Sequence, residues 1–228
     1  RQPYAGGWAP SDLSGLVGWY RFNTGIQKLG ATTSPSDGED IGKWVDQSGN
    51  SNDATKSSNV PSYNSALKSV FFDSASETLD IPQLTLGAFS MYVRLRFTDS
   101  TITTADVLMK DDTTANNFWR IQTVNQIRCK IGGSSSLSYV LHDSVSLESD
   151  VFYNMGIERT SSSALSSYLG GIINGTARTI DIGTYPFLID SIHGGVDAVI
   201  SEVIITTASL TSEERELVEN WLSSETSG

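Results

Sequence analysis

The sequence predicts an all-β fold, a sandwich of two antiparallel sheets carrying one short C-terminal α-helix. Three observations lead there. From Ser90 to Phe97, Met91, Val93, Leu95 and Phe97 alternate with Tyr92, Arg94 and Arg96, the period of a strand buried on one face. About a dozen short runs rich in β-branched and aromatic residues lie between Gly, Ser, Asn and Asp clusters, which suits a sandwich better than βαβ units. Helix signals are confined to the C-terminus.

In chain order, residues 1 to 15 are rich in Pro, Gly and Ser and read as a lead-in or linker, with Trp8 as a docking point. Residues 16 to 228 read as a single domain. Leu16 to Phe22 is the first convincing strand, and a polar loop holding Glu39 and Asp40 follows. Trp44 and Val45 then give way to Asp46-Gln47-Ser48-Gly49-Asn50-Ser51-Asn52-Asp53. There, Asx and Ser side chains can fold back onto nearby amides, and Gly49 can take a positive φ. Ser69 to Asp73 and Thr78 to Ile81 are short strands around a Ser-rich turn. Phe118 to Gln122 and Gln126 to Ile131 repeat the alternation, with Ile127, Cys129 and Ile131 on one face. Further extended runs cover residues 107–110, 139–142, 151–158, 167–173, 179–182 and 200–205. Thr211-Ser212-Glu213-Glu214 is a capping box. Leu217, Val218, Trp221 and Leu222 follow as one apolar stripe, which places this helix against the sandwich edge.

Composition narrows the function. The net charge of -11, from 15 basic and 26 acidic residues, argues against an electrostatic nucleic-acid or anionic-membrane binder. Cys129 is the only cysteine, so no internal disulfide forms. No apolar run approaches the roughly 18 residues needed to span a bilayer. The start at Arg1, without Met, suggests a processed product or excised fragment.

Four segments carry a family likeness. They are Gly18 to Phe22 with Trp44 to Thr55; Val70 to Asp73 ahead of Leu79-Asp80-Ile81; Tyr168 to Gly175, ending in Asn-Gly; and Asp197 to Ile205 followed by Leu210 to Arg215 and its helix. In this order the chain resembles the laminin-G-like, concanavalin A-like jelly-roll superfamily of bacterial and phage surface proteins. Ala198 and Ser201 stand where that family often has Gly and Asp. The resemblance implies a jelly roll that binds a glycan or another surface partner. It also implies an extracellular or virion-surface location, with capsid or tail proteins and further copies of the chain as candidate partners.

Two sets of residues are candidate sites. Asp46, Asn50, Asn52 and Asp53 offer the hard oxygens that calcium prefers, completed by Asp197 or a backbone carbonyl. The competing reading is a metal-free Asx turn. Tyr92, Arg94, Arg96, Arg120, Arg128 and Lys130 come from three successive strands and are candidates to line a concave sheet face. Such a face grips carboxylated or sulfated sugars by bidentate bonds and stacking; the competing reading is a solvated outer face.

Enzyme motifs are sparse. Two carboxyls on one strand, about 5 Å apart as a retaining glycosidase needs, are not evident; Glu148-Ser149-Asp150 is the nearest pair. Gln126-Ile127-Arg128 is similar to a lyase motif but has Arg in place of His. His142 and His193 are candidate bases, and Asn174-Gly175-Thr176 fits a glycosylation sequon read here as a hairpin turn. The expectation is therefore a non-enzymatic binding or surface module, including a phage decoration or fibre protein. The alternative is a polysaccharide-degrading enzyme, a lyase or glycosidase, on the same scaffold.

Overall fold

Alternating side chains give the strands two unlike faces, and the chain buries the apolar ones against each other. The computed structural model describes residues 7–74, 76–98, 106–113, 116–123, 126–132, 138–140, 147–161, 164–173, 178–179, 185–193 and 197–224. The first strands are β1 (Leu16–Tyr20), β2 (Ile26–Lys28), β3 (Ile41–Trp44), β4 (Ala54–Thr55), β5 (Ser62–Asn64) and β6 (Ser69–Phe72). Next come β7 (Thr78–Leu86), β8 (Phe89–Phe97), β9 (Asp106–Lys110), β10 (Phe118–Thr123), β11 (Gln126–Lys130) and β12 (Ser138–Val140). The last are β13 (Phe152–Ser161), β14 (Ala164–Leu169), β15 (Ile172–Ile173), β16 (Arg178–Thr179), β17 (Phe187–His193) and β18 (Ala198–Thr206), followed by helix α1 (Ser212–Ser224).

Sheet A runs β15-β14-β13-β8-β18-β6-β5, with β1 also on β18 and β16 on β14; sheet B runs β12-β11-β10-β9-β17-β7-β4-β3-β2. Every pairing is antiparallel. The predicted antiparallel β-sandwich is therefore the fold. Met91, Val93, Leu95 and Phe97 are buried in the core, as are Trp119, Ile121, Ile127 and Cys129 from sheet B. Phe89 of β8 stacks on Phe187 of β17 at 5.2 Å, joining the two layers. The strands on either side of the Ser-rich turn, β6 and β7, lie in different sheets.

The register of β18 against β8 breaks between Ile200 and Glu202. One extra residue, Ser201, lets Ala198 and Ile200 face the core on one side of the break, and Val203 and Ile205 on the other. Glu202 is thereby turned outward, opposite Arg94.

Helix α1 begins as the sequence indicates. Thr211 Oγ1 accepts the Glu214 N–H at 3.2 Å, and the Glu214 carboxylate accepts the Thr211 N–H at 2.8 Å. Its position differs from the expected sandwich edge. Val218 and Leu222 pack with Trp19, Tyr92, Tyr168 and Ile204, which come from β1, β8, β14 and β18, so the helix covers the outer face of sheet A. Four strands remote in sequence make that apolar patch, and the helix is the element that buries it. Trp8 packs edge-on against Trp221 at 6.3 Å, drawing the lead-in into the same cluster.

Candidate functional site

Helix α1 covers only one of the two outer faces. Beneath it, side chains are engaged with one another. Glu158 accepts the Tyr92 hydroxyl at 2.5 Å and both arms of Arg215 at 3.1 and 2.9 Å. Glu202 Oε1 accepts the indole N–H of Trp19 at 2.8 Å and that of Trp221 at 2.6 Å. Asn154 donates to Glu219 at 3.1 Å and accepts from Arg94 at 2.7 Å. Arg96 pairs with Asp150 at 2.5 Å. Tyr92 is fully buried, and burial first, then Glu158, pushes its hydroxyl pKa well above the ordinary value. Burial likewise raises the Glu219 carboxyl to about 7. This side of the sandwich is a helix-sheet interface.

The outer face of sheet B is different. Cα partners align Lys130, Phe118, Lys110, Ser191, Asp80, Thr55, Lys43 and Gln27 in one row crossing eight strands. One register step away, Arg120 of β10 lies directly opposite Arg128 of β11. The Arg120 guanidinium sits 4.4 Å over the Phe118 ring. Arg128 approaches Gln122 Oε1 at 3.4 Å. Burial and then the charge of Arg128 lower the Arg120 pKa. Lys130 belongs to the same face, and its ammonium donates to Asn116 Oδ1 at 2.9 Å.

On the other side of that row, past Lys110, is an acidic cluster. Register breaks between Ile189 and Ser191, and Asp190 sits in that break with its carboxylate accepting the Asp112 N–H at 2.7 Å. Asp112 pairs with Lys110 at 2.7 Å, and Lys56 with Asp80 at 2.6 Å. The two aspartates are pushed apart. Partial burial, then neighbouring carboxylates, raises Asp190, whereas Asp112 is held below the ordinary range, its own burial being outweighed by Lys110 and His193. A carboxyl of raised proton affinity near one of lowered affinity is a pairing that acid-base chemistry uses. Bulges such as this one commonly re-aim a side chain next to a site.

His193 is close to this cluster but sealed. Its Nε2 lies 3.0 Å from Ser191 Oγ and 3.6 Å from Asp112 Oδ1, and the residue is 4% exposed. Burial, then Lys110, lowers its pKa to about 4, so the ring is neutral at ordinary pH. Serine and aspartate approach the same ring nitrogen, and Ser191 is fully buried. A nucleophilic triad needs them on opposite nitrogens with an accessible hydroxyl, so this is not one.

The expected ligand-binding set is thus divided. Tyr92, Arg94 and Arg96 belong to sheet A beside the helix, while Arg120, Arg128 and Lys130 belong to the opposite face, on sheet B. Trp119 points into the core. Cys129 is buried, which raises its thiol pKa. Glu148-Ser149-Asp150 makes no paired site, since Asp150 holds Arg96. His142 and Asn174-Gly175-Thr176 lie outside the described residues.

The Asp46 loop is organised from within. The Asp46 carboxylate accepts N–H groups from Trp19 (2.9 Å), Ser48 (2.8 Å) and Asn52 (3.0 Å), and the Ser48 hydroxyl at 2.7 Å. Asn50 and Asn52 donate to the carbonyls of Leu16 and Val17. Asp53 accepts the Asp46 N–H and pairs with Lys43. Asp197 does not join them. It precedes Ala198, whereas Asp46 bridges Tyr20, the partner of Val203, about 16 Å further along β18 at ~3.3 Å per residue. Among the described residues no group of three or more His, Cys, Asp or Glu is placed to share a metal.

No motif or periodicity in the sequence marks Asp112 or Lys110 as a site residue. The one signal for Asp190 is an acid interrupting the apolar run Phe187-Leu188-Ile189.

Neither a protein-family model nor a curated protein matches the chain. Solved structures do. The fold is similar to Trypanosoma rangeli sialidase at a TM-score of 0.62 and 13% identity, over 94% of this chain and 34% of that one. It is also similar to domain 4 of AbnA, a GH43 extracellular arabinanase from Geobacillus stearothermophilus, in complex with arabinotriose, at TM-score 0.58 and 12% identity, over 90% and 98%. A mutant of HCR/D matches at TM-score 0.64 and 12% identity, over 91% and 51%. The chain therefore spans about a third of the length of the sialidases. At these identities the likeness establishes the β-sandwich. The expected non-enzymatic surface module, phage decoration included, is corrected here: the sialidase and arabinanase likenesses favour the glycan-degrading alternative.

Proposed function

We propose that the chain serves in the enzymatic breakdown of carbohydrate and meets its glycan on the outer face of sheet B. The observation that supports this most is the Asp112–Asp190 pair. The Asp190 carboxylate, at a register break, accepts the Asp112 backbone N–H, and the proton affinities of the two side chains are driven in opposite directions. In a hydrolytic step Asp190, the carboxyl of raised proton affinity, is the candidate to protonate the departing glycosidic oxygen as its C–O bond breaks and the water oxygen bonds to the sugar carbon. Asp112, whose charged form Lys110 favours, is the candidate to take the proton of the attacking water. A polymeric substrate places this action outside the cell.

The sialidases and the arabinanase domain, the latter with arabinotriose bound, support a carbohydrate partner.

The test is release of reducing ends from acidic and neutral polysaccharides by the wild-type chain, Asp112→Asn and Asp190→Asn. Activity lost in both variants, with binding retained, is expected. Binding without any cleavage by the wild type, or no engagement of any polysaccharide, refutes the proposal.

A further inference from the structure

We propose that the glycan is anionic, and that Arg120 and Arg128 together read its carboxylate or sulfate groups. This rests on sheet B being the glycan face, and it adds the substrate class. The chain has 26 acidic and 15 basic residues, so a cation on its surface has carboxylates to choose from. Arg96 pairs with Asp150, Arg215 with Glu158, Lys43 with Asp53, Lys56 with Asp80 and Lys110 with Asp112. Arg120 and Arg128 do otherwise. Each is half-buried, neither has a carboxylate partner among the described residues, and the Nε of each is buried without a hydrogen bond. They are placed directly opposite one another on adjacent strands, where like charges repel.

The arrangement fits an anion with two or three oxygens. Directly opposed residues have Cα atoms about 4.5–5.5 Å apart, so two guanidinium forks can converge on one group. Guanidinium matches carboxylate and sulfate oxygens in bidentate fashion, which a lysine does not. Phe118 fixes Arg120 from below by ring contact, and Gln122 steadies Arg128. Lys130 lies next along β11 on the same face and adds positive charge. The Phe118–Lys110 row lies between this arginine pair and the Asp112–Asp190 pair, which sit on opposite sides of it along the strands.

The experiment measures binding by calorimetry to a polyuronate, a sulfated glycan, neutral arabinan and inorganic sulfate. The proteins are the wild type, Arg120→Gln, Arg128→Gln and Arg120→Lys. Preference for the polyuronate or the sulfated glycan over arabinan is expected, and which of the two binds tighter identifies the charged group. Each Gln variant should lose roughly tenfold in affinity for the anionic polymer, with Lys recovering only part. Both side chains face outward, and unchanged thermal unfolding confirms that the variants fold. Equal binding of arabinan and the anionic polymers overturns the inference while leaving carbohydrate breakdown standing. So does anionic binding that the Gln variants leave unaltered. Binding of inorganic sulfate without either polymer overturns it as well.

Discussion

Replacing Glu219 by Gln should change how stability depends on pH. Glu219 lies on the sheet-facing side of α1, where Asn154 donates to it at 3.1 Å and its Oε1 is buried without a partner. Burial raises its pKa from 4.5 to about 7. Below pH 4.5 both folded and unfolded chains hold the proton, and the group costs nothing. As pH rises from 4.5 to 7 the unfolded chain ionises first, so the fold loses stability, with the full cost present above pH 7. At about 1.4 kcal/mol per pH unit this amounts to about 3 kcal/mol. Gln keeps the acceptor for Asn154 and cannot ionise. Any fixed penalty of its amide shifts the whole curve without changing its slope. The assay is thermal or denaturant unfolding of both proteins from pH 4 to 8. The difference, variant minus wild type, should grow by about 3 kcal/mol between pH 4.5 and 7, or about 6–12 °C in Tm for a chain of this size. His193 acts in the other direction. Its pKa, lowered from 6.5 to about 4, costs stability as pH falls through that window. In the wild type the two effects oppose each other between pH 4.5 and 6.5, and the variant exposes the His193 limb. A constant difference across the range refutes the buried-carboxylate account.

Three further outcomes concern the Asp46 loop and the β13–β8 pair. Asp46→Ala leaves the N–H groups of Trp19, Ser48 and Asn52 without their acceptor and should cost about 2–4 kcal/mol in chemical unfolding. Because these bonds already occupy the carboxylate, added calcium should leave the wild-type Tm unchanged. Gly156→Ala puts a Cβ 2.3 Å from Tyr92 Cε1, across the β13–β8 pair. It should destabilise by about 1–3 kcal/mol and quench the Tyr92–Glu158 contact, read as increased tyrosine exposure.

What the sequence disclosed tracks what strand period encodes. Alternation from Ser90 to Phe97 told which side chains share a face, and all four predicted inward residues are in the core. It did not tell which sheet a strand joins. Arg94 and Arg120 lie on similar alternating runs yet end on opposite sides of the molecule, because β8 pairs with β13 and β18 while β10 pairs with β9 and β11. The capping box placed the start of α1 correctly. The surface it covers was hidden, since Trp19, Tyr92, Tyr168 and Ile204 meet only after four strands assemble. Local chemistry in the Asp46 loop was legible because Asx turns act within a few residues. Asp112 and Asp190 are 78 positions apart, and no periodicity links them. A register break brings them together, and such breaks are a property of strand pairing.

The most direct test of the account is to map amide perturbations by NMR while titrating a polyuronate into the protein. Shifts concentrated in residues 118–123, 126–130 and 110–112 are the predicted result. Shifts confined to the strands beneath α1, or to the Asp46 loop, would contradict it.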